Sequence, residues 1–129
     1  MNKLSKYLKY LFEAPRVIET GKIGNYTWRK WNDGTSECWE PISSGSFGPS
    51  AQMADQKWWY RTFTGYSWPP GLFVGEPPVV LVTIDYWGSG LFFGNPRGVT
   101  TTQWGYTIFK SSNGSDSMRG GVYAVGRWK

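Results

Sequence analysis

The chain contains no histidine. That removes the commonest general base, the commonest metal ligand and every histidine-based catalytic triad. Cysteine occurs once, as Cys38, so no disulfide can form within the chain. Flanked by Glu37 and Trp39 in an expected strand, Cys38 reads as a small buried hydrophobe. Alanine and leucine are scarce, which argues against a helical domain. No apolar run is long enough to cross a bilayer. The opening residues, MNKLSKYLKYLF, interleave charge with apolar side chains and show no small-residue cleavage site, so no signal peptide or transmembrane segment is expected. No phosphate loop, dinucleotide fingerprint or calcium loop occurs, and neither a cofactor nor a metal is expected.

What the chain has instead is aromatic. Nine Trp, eight Tyr and seven Phe, with seventeen Gly and eight Pro, are the composition of an all-β domain with many turns. The 129 residues suffice for one core of useful size. The formal charge of +5 is spread along the chain, apart from a local stripe of Lys3, Lys6 and Lys9. Dispersed charge of this kind keeps a surface soluble, so no nucleic-acid partner is expected.

Residues 24–39, GNYTWRKWNDGTSECW, carry the strongest local signal. Two runs of strand formers flank Asn32-Asp33-Gly34, which predicts a β-hairpin with Gly34 at positive φ and Asp33 bonding its own turn. So aromatic a ribbon requires a larger sheet to cover it. Ahead of it, residues 3–13 read as a short amphipathic helix with Leu4, Leu8 and Leu11 on one seam, stopped by Pro15. A helix this short needs a partner, its own sheet or copies of itself. Its polar face carries few positive charges, so no membrane insertion is expected.

Further on, residues 17–20 read as a strand or extended linker broken by Gly21 and Gly24, and 41–49 as a Gly/Ser/Pro loop. Strands are expected over 57–66, 79–84, 99–109 and 122–128. The unbroken apolar run at 79–84 suggests burial on both faces. Residues 85–98 read as a hairpin or one long loop, and 111–121 as a loop. The predicted fold is a small antiparallel β-sandwich over 17–129, preceded by a helix and linker over 1–16.

Of the carboxylates, Glu37 and Glu40 are close enough in sequence to be examined as a glycosidase pair, but Asp33, Glu13 and Glu19 have turn, helix and linker positions. Catalysis is not the expected activity. Aromatic rings beside short polar groups on loops suit sugar binding. Tyr86, Trp87, Asn95 and Arg97 form one such set, and Asn113 and Asp116 another. The competing reading is that Tyr86 and Trp87 end a strand and pack inward. Trp28 and Trp31 read as core or subunit contacts.

The segment YTWRKWNDGTSECW resembles the strand–turn–strand near the start of C-terminal tip domains in bacteriophage tail-fibre and receptor-binding proteins. WPPGLFVGEPPVV is similar to the aromatic-Pro segment that precedes a Pro-Val strand there, and VYAVGRWK to the closing strand. The resemblance spans residues 17–129, and the WRKW…ECW form with a GRWK ending is most like structural proteins of phages and prophages of Gram-positive bacteria. It implies a non-enzymatic virion protein made in the bacterial cytoplasm, a homotrimer, other tail proteins as neighbours, and attachment to a host cell-surface glycan or protein. The short helix, which needs a partner for its Leu4, Leu8 and Leu11 seam, is then expected close to the three-fold axis. Two other readings stay open: an assembly protein that trimerises a tail part without binding a receptor, and a phage hydrolase of cell-wall glycan. A long shaft precedes such tips in fibres, and here only the short helix stands in that place.

Overall fold

The structure is a computed structural model that describes residues 2–49, 51–86 and 92–129. Its elements run α1 (Lys3–Glu13), β1 (Val17–Ile23), β2 (Tyr26–Trp31), β3 (Thr35–Phe47), β4 (Ala51–Gln52), β5 (Trp59–Ser67), β6 (Val79–Tyr86), β7 (Phe92–Arg97), β8 (Gln103–Lys110) and β9 (Asp116–Arg127). Two antiparallel sheets pack face to face as a sandwich. Sheet A has the order β1-β2-β3-β9-β6 and sheet B the order β4-β5-β8-β7.

The helix begins where Asn2 caps it, its side chain accepting from the Ser5 amide at 2.8 Å. It ends at Ala14, held extended by the following proline. Its last carbonyls would otherwise lack partners. Arg16 and Asn32 supply them: Arg16 Nη1 donates to the Leu11 and Phe12 carbonyls, and Asn32 Nδ2 to the Phe12 and Ala14 carbonyls. Asn32 belongs to the turn of the β2–β3 hairpin, and the same turn receives the end of the chain. Arg127 Nη2 donates to the Asp33 carbonyl at 2.8 Å and the Trp128 amide to the Gly34 carbonyl at 2.9 Å. The predicted hairpin is therefore present, with Gly34 at φ +93° and the Asp33 side chain accepting from the Thr35 amide. The helix itself buries no residue, and Leu4, Leu8 and Leu11 are 67%, 46% and 60% exposed.

The core lies between the sheets. Trp104 stacks on Trp68 at 5.2 Å and on Tyr106 at 5.7 Å, and Phe63 stacks on Tyr106 at 4.9 Å. Cys38, Ile42, Ile108, Val122 and Ala124 fill the space around these rings. Burial pushes the Cys38 thiol up to about 12, so it is an inert hydrophobe, as its sequence context suggests.

Several sequence expectations are corrected. Residues 41–47 are strand, because β3 continues along its long partner β9 from Thr35↔Arg127 to Phe47↔Asp116. Pro41 is tolerated there because the β2 pairing stops at Trp39, so its missing N–H interrupts no ladder on that side. For the same reason 116–121 belong to β9 and not to a loop. Gly21 does not break β1. It pairs with Trp28, whose ring would lie 2.5 Å from a Cβ at that position. The apolar run 79–84 is not buried on both faces. β6 is an edge strand whose Val80, Val82 and Ile84 turn inward while Val79 and Leu81 are 68% and 61% exposed. Residues 85–98 are neither one hairpin nor one loop: β6 stays in sheet A and β7 joins β8 in sheet B.

Candidate functional site

The sequence nominees divide by register. Tyr86 ends β6 opposite Met118, β7 starts at Phe92 opposite Lys110, and β9 starts at Asp116. Tyr86, Phe92 and the 111–115 connection therefore lie at one end of the sandwich, where a ligand-binding surface built from both sheets would have to be. Trp87 lies outside the described residues. Asn113 sits in the second connection, exposed. Asp116 pairs with Lys110, which also donates to the Gly114 carbonyl and lies beneath the Phe92 ring. The Lys110 side chain is almost wholly buried, so Asp116 serves to neutralise a charge inside the fold.

Asn95 and Arg97 lie elsewhere. Both are on β7, and with Phe93 they alternate onto the outer face of sheet B. Cross-strand pairing places Phe109 beside Phe93, Thr107 beside Asn95, and Tyr60 and Thr62 beyond them on β5. The result is an outward ladder of rings. Trp58 meets Phe93 edge-on at 5.3 Å, Phe93 stacks on Phe109 at 4.9 Å, and Phe109 lies 6.2 Å from Tyr60. Below the rings runs a cleft of about 340 Å³ lined by Gln52, Met53, Ala54, Tyr60, Arg97, Thr107 and Phe109. Thr107 is buried and shares a 2.9 Å hydroxyl contact with Thr62, which sets the floor. Gln52 donates to the Gln56 carbonyl and Met53 N–H to the Trp58 carbonyl, which fixes the opposite wall. The sequence singled out Arg97 and Asn95 but not Tyr60, Thr107 or Phe109. Their period-two spacing was visible, yet only the β5–β8–β7 register brings them together.

This fold has a solved counterpart. Over 98% of this chain and 98% of that one it is similar to an N-truncated R1-type pyocin tail fibre, with a TM-score of 0.53 and 16% sequence identity. At that identity the likeness is one of fold. No family model and no curated protein matches the chain. The tail-fibre likeness spans the helix and both sheets, so the outward cleft belongs to a fold shared with a fibre.

A second aromatic cluster lies on the outer face of sheet A. Arg29 sits over the rings of Trp31 and Trp39 at 5.4 and 5.3 Å, and its Nε donates to Glu37. Trp31 Nε1 donates to Glu37 Oε1 at 2.8 Å, and the Tyr123 hydroxyl donates to Glu37 Oε2. Burial pushes the Glu37 carboxyl up, but Arg29, Tyr123 and Trp31 together outweigh it and hold the group below its ordinary range. Glu37 is thus an ionised carboxylate held by three hydrogen bonds, two on Oε1 and one on Oε2. Glu40, three residues on, stands on the opposite face of β3, where burial raises its carboxyl. The two do not form a facing pair of the kind glycoside hydrolysis uses. Between the β1–β2 hairpin and Pro69-Pro70 a smaller cleft of about 280 Å³ holds Lys30, paired with Glu19 at 3.6 Å. Among the described residues no group of His, Cys, Asp and Glu could hold a metal ion, and no helix is long and apolar enough to cross a membrane.

Proposed function

We propose that this chain is a tail-fibre domain of a phage or phage-derived particle that attaches the particle to a glycan or protein on the host cell surface, without catalysis. The observation that carries the reading is the likeness in fold to a pyocin tail fibre along nearly the whole chain. The ring-lined cleft on the outer face of sheet B supports attachment, because aromatic faces and short polar groups together suit a sugar. The WRKW…ECW and GRWK segments extend the reading to a tip domain of Gram-positive phages or prophages. In this reading residues 1–16 serve oligomerisation and 17–129 form the tip. Leu4, Leu8 and Leu11 pack against two other copies close to a three-fold axis, and the exposed Val79 and Leu81 on edge strand β6 supply further apolar surface for contact. Trimerisation gives weak sites a joint effect on a repeating surface. The end of the sandwich that carries Tyr86 and Asn113 is a second contact region in this reading, with Trp87 following Tyr86 in the sequence.

The test is adsorption of the labelled chain to a panel of bacterial cells, with purified envelope polysaccharide as competitor and release of reducing ends as the hydrolysis readout. Saturable, competed adsorption without released product is expected. A trimer that adsorbs to no cell leaves the assembly role alone standing, and product release makes the protein a hydrolase.

A further inference from the structure

Arg97 is set apart from the other arginines by what surrounds it. Arg29 and Arg119 pair with Glu37 and Asp85, Arg16 donates to helix carbonyls, Arg127 to the Asp33 carbonyl, and Arg61 lies over the Phe63 ring. Arg97 has no such partner among the described residues, although it lines the cleft beside Tyr60 and Phe109. It is also the sole charged residue among those lining that cleft. Asp55, the carboxylate nearest in sequence to the cleft wall, has its Oδ1 engaged by the Lys57 amide. The cleft therefore presents a guanidinium with no charged partner at one end and ring faces at the other, with Thr107 in the row between them. A neutral ligand would offer that exposed cation only hydroxyl acceptors, which bind a guanidinium more weakly than an oxyanion does. An anion on a ring-shaped, partly apolar body satisfies both ends at once.

We propose that the cleft on the outer face of sheet B binds an acidic sugar residue. Its carboxylate or phosphate pairs with Arg97, and the apolar face of its ring packs against Tyr60 and Phe109. The planar guanidinium fork matches either oxyanion with two parallel hydrogen bonds, which a lysine in its place cannot do. The net charge of +5 attracts an anionic polymer over a longer range but does not select among polymers. This inference rests on the reading of the chain as a host-attachment domain and names the ligand class of its site.

The experiment measures binding of the full chain to oligogalacturonate, to phosphorylated dextran and to unmodified dextran, at 0.15 M salt so that long-range attraction is screened. The variants are Arg97→Gln, Arg97→Lys and Arg61→Gln, the last removing one exposed positive charge away from the cleft. One acidic probe is expected to bind, which tells carboxylate from phosphate, and dextran only weakly. Arg97→Gln should weaken the acidic probe about tenfold or more and leave dextran unchanged. Arg97→Lys should recover part of the loss, and Arg61→Gln should bind as the parent does. Equal binding of dextran and the acidic probes, or an equal loss in Arg97→Gln and Arg61→Gln, overturns the inference while leaving attachment intact. So does a protein that adsorbs to cells but takes none of the three probes. A protein that adsorbs to no cell removes the attachment reading and this inference with it.

Discussion

The indole N–H of Trp104 donates to the hydroxyl of Tyr26 at 2.7 Å, and this bond ties sheet B to sheet A through the core. Trp104 is 2% exposed, so water cannot take over as acceptor. Burial drives the Tyr26 phenol well above its ordinary pKa, so the hydroxyl stays neutral and the link persists over the whole useful pH range. Tyr26→Phe should leave a buried donor unpaired and cost about 1–3 kcal/mol. Urea unfolding reads this as a lower midpoint at unchanged slope. An unshifted midpoint would show that the two sheets are not joined there.

Gly34 is the pivot of the helix, the first hairpin and the closing strand. At φ +93° a Cβ would stand 2.4 Å from Arg127 Nη2. Gly34→Val should destabilise by more than about 2 kcal/mol, combining backbone strain with the displaced arginine. Gly24→Ala, also at positive φ but with nothing within 4 Å, should cost only about 1 kcal/mol. Thermal melts of the two variants side by side separate strain from collision.

Gly120 answers to space alone. A Cβ there would lie 2.0 Å from the Thr83 carbonyl oxygen on the neighbouring strand β6. Gly120→Ala should push β6 off β9 at a cost of about 3 kcal/mol. Faster amide exchange across Val79–Tyr86, with β5 and β8 protected as before, is the expected signature.

Glu37 and Glu40 should give opposite pH dependences. The folded Glu37 carboxyl titrates below its unfolded value of about 4.3. Its stabilisation is present above that value and is lost as pH falls through the folded one. Glu37→Gln should be less stable than the parent by about 1–3 kcal/mol at pH 7, with the gap closing in acid. The Glu40 carboxyl is raised by burial, partly offset by its bond to Tyr26. What it contributes is present below pH of about 4.3 and lost as pH rises through its folded value, so Glu40→Gln should be the more stable protein at pH 7 and equal to the parent in acid. Denaturant unfolding at pH 3 and pH 7 checks both signs.

The helix predicts an assembly effect separable from folding. Leu4, Leu8 and Leu11 are exposed within one chain, so replacing all three by Ser should change the stability of the sandwich by less than about 0.5 kcal/mol. The same triple variant should sediment as a monomer where the parent sediments as a trimer. A parent chain that is already monomeric at micromolar concentration would remove the trimer from the proposal.

The sequence by itself determined the features whose causes are local. Asn32-Asp33-Gly34 could only be a turn, because a glycine at positive φ and an Asp bonding its own backbone need no distant partner. The helix boundaries followed from leucine spacing and from Pro15, and the class of fold from aromatic and glycine content. The tertiary structure decided whatever depends on a partner strand. The Gly/Ser/Pro run at 41–47 became strand because β9 runs the length of it. The apolar run at 79–84 became an exposed edge because sheet A stops there. The cleft belongs to the same class. Tyr60, Arg97, Thr107 and Phe109 come from three strands of one sheet, and only the hydrogen-bond register between those strands, which no local run of residues encodes, sets them side by side.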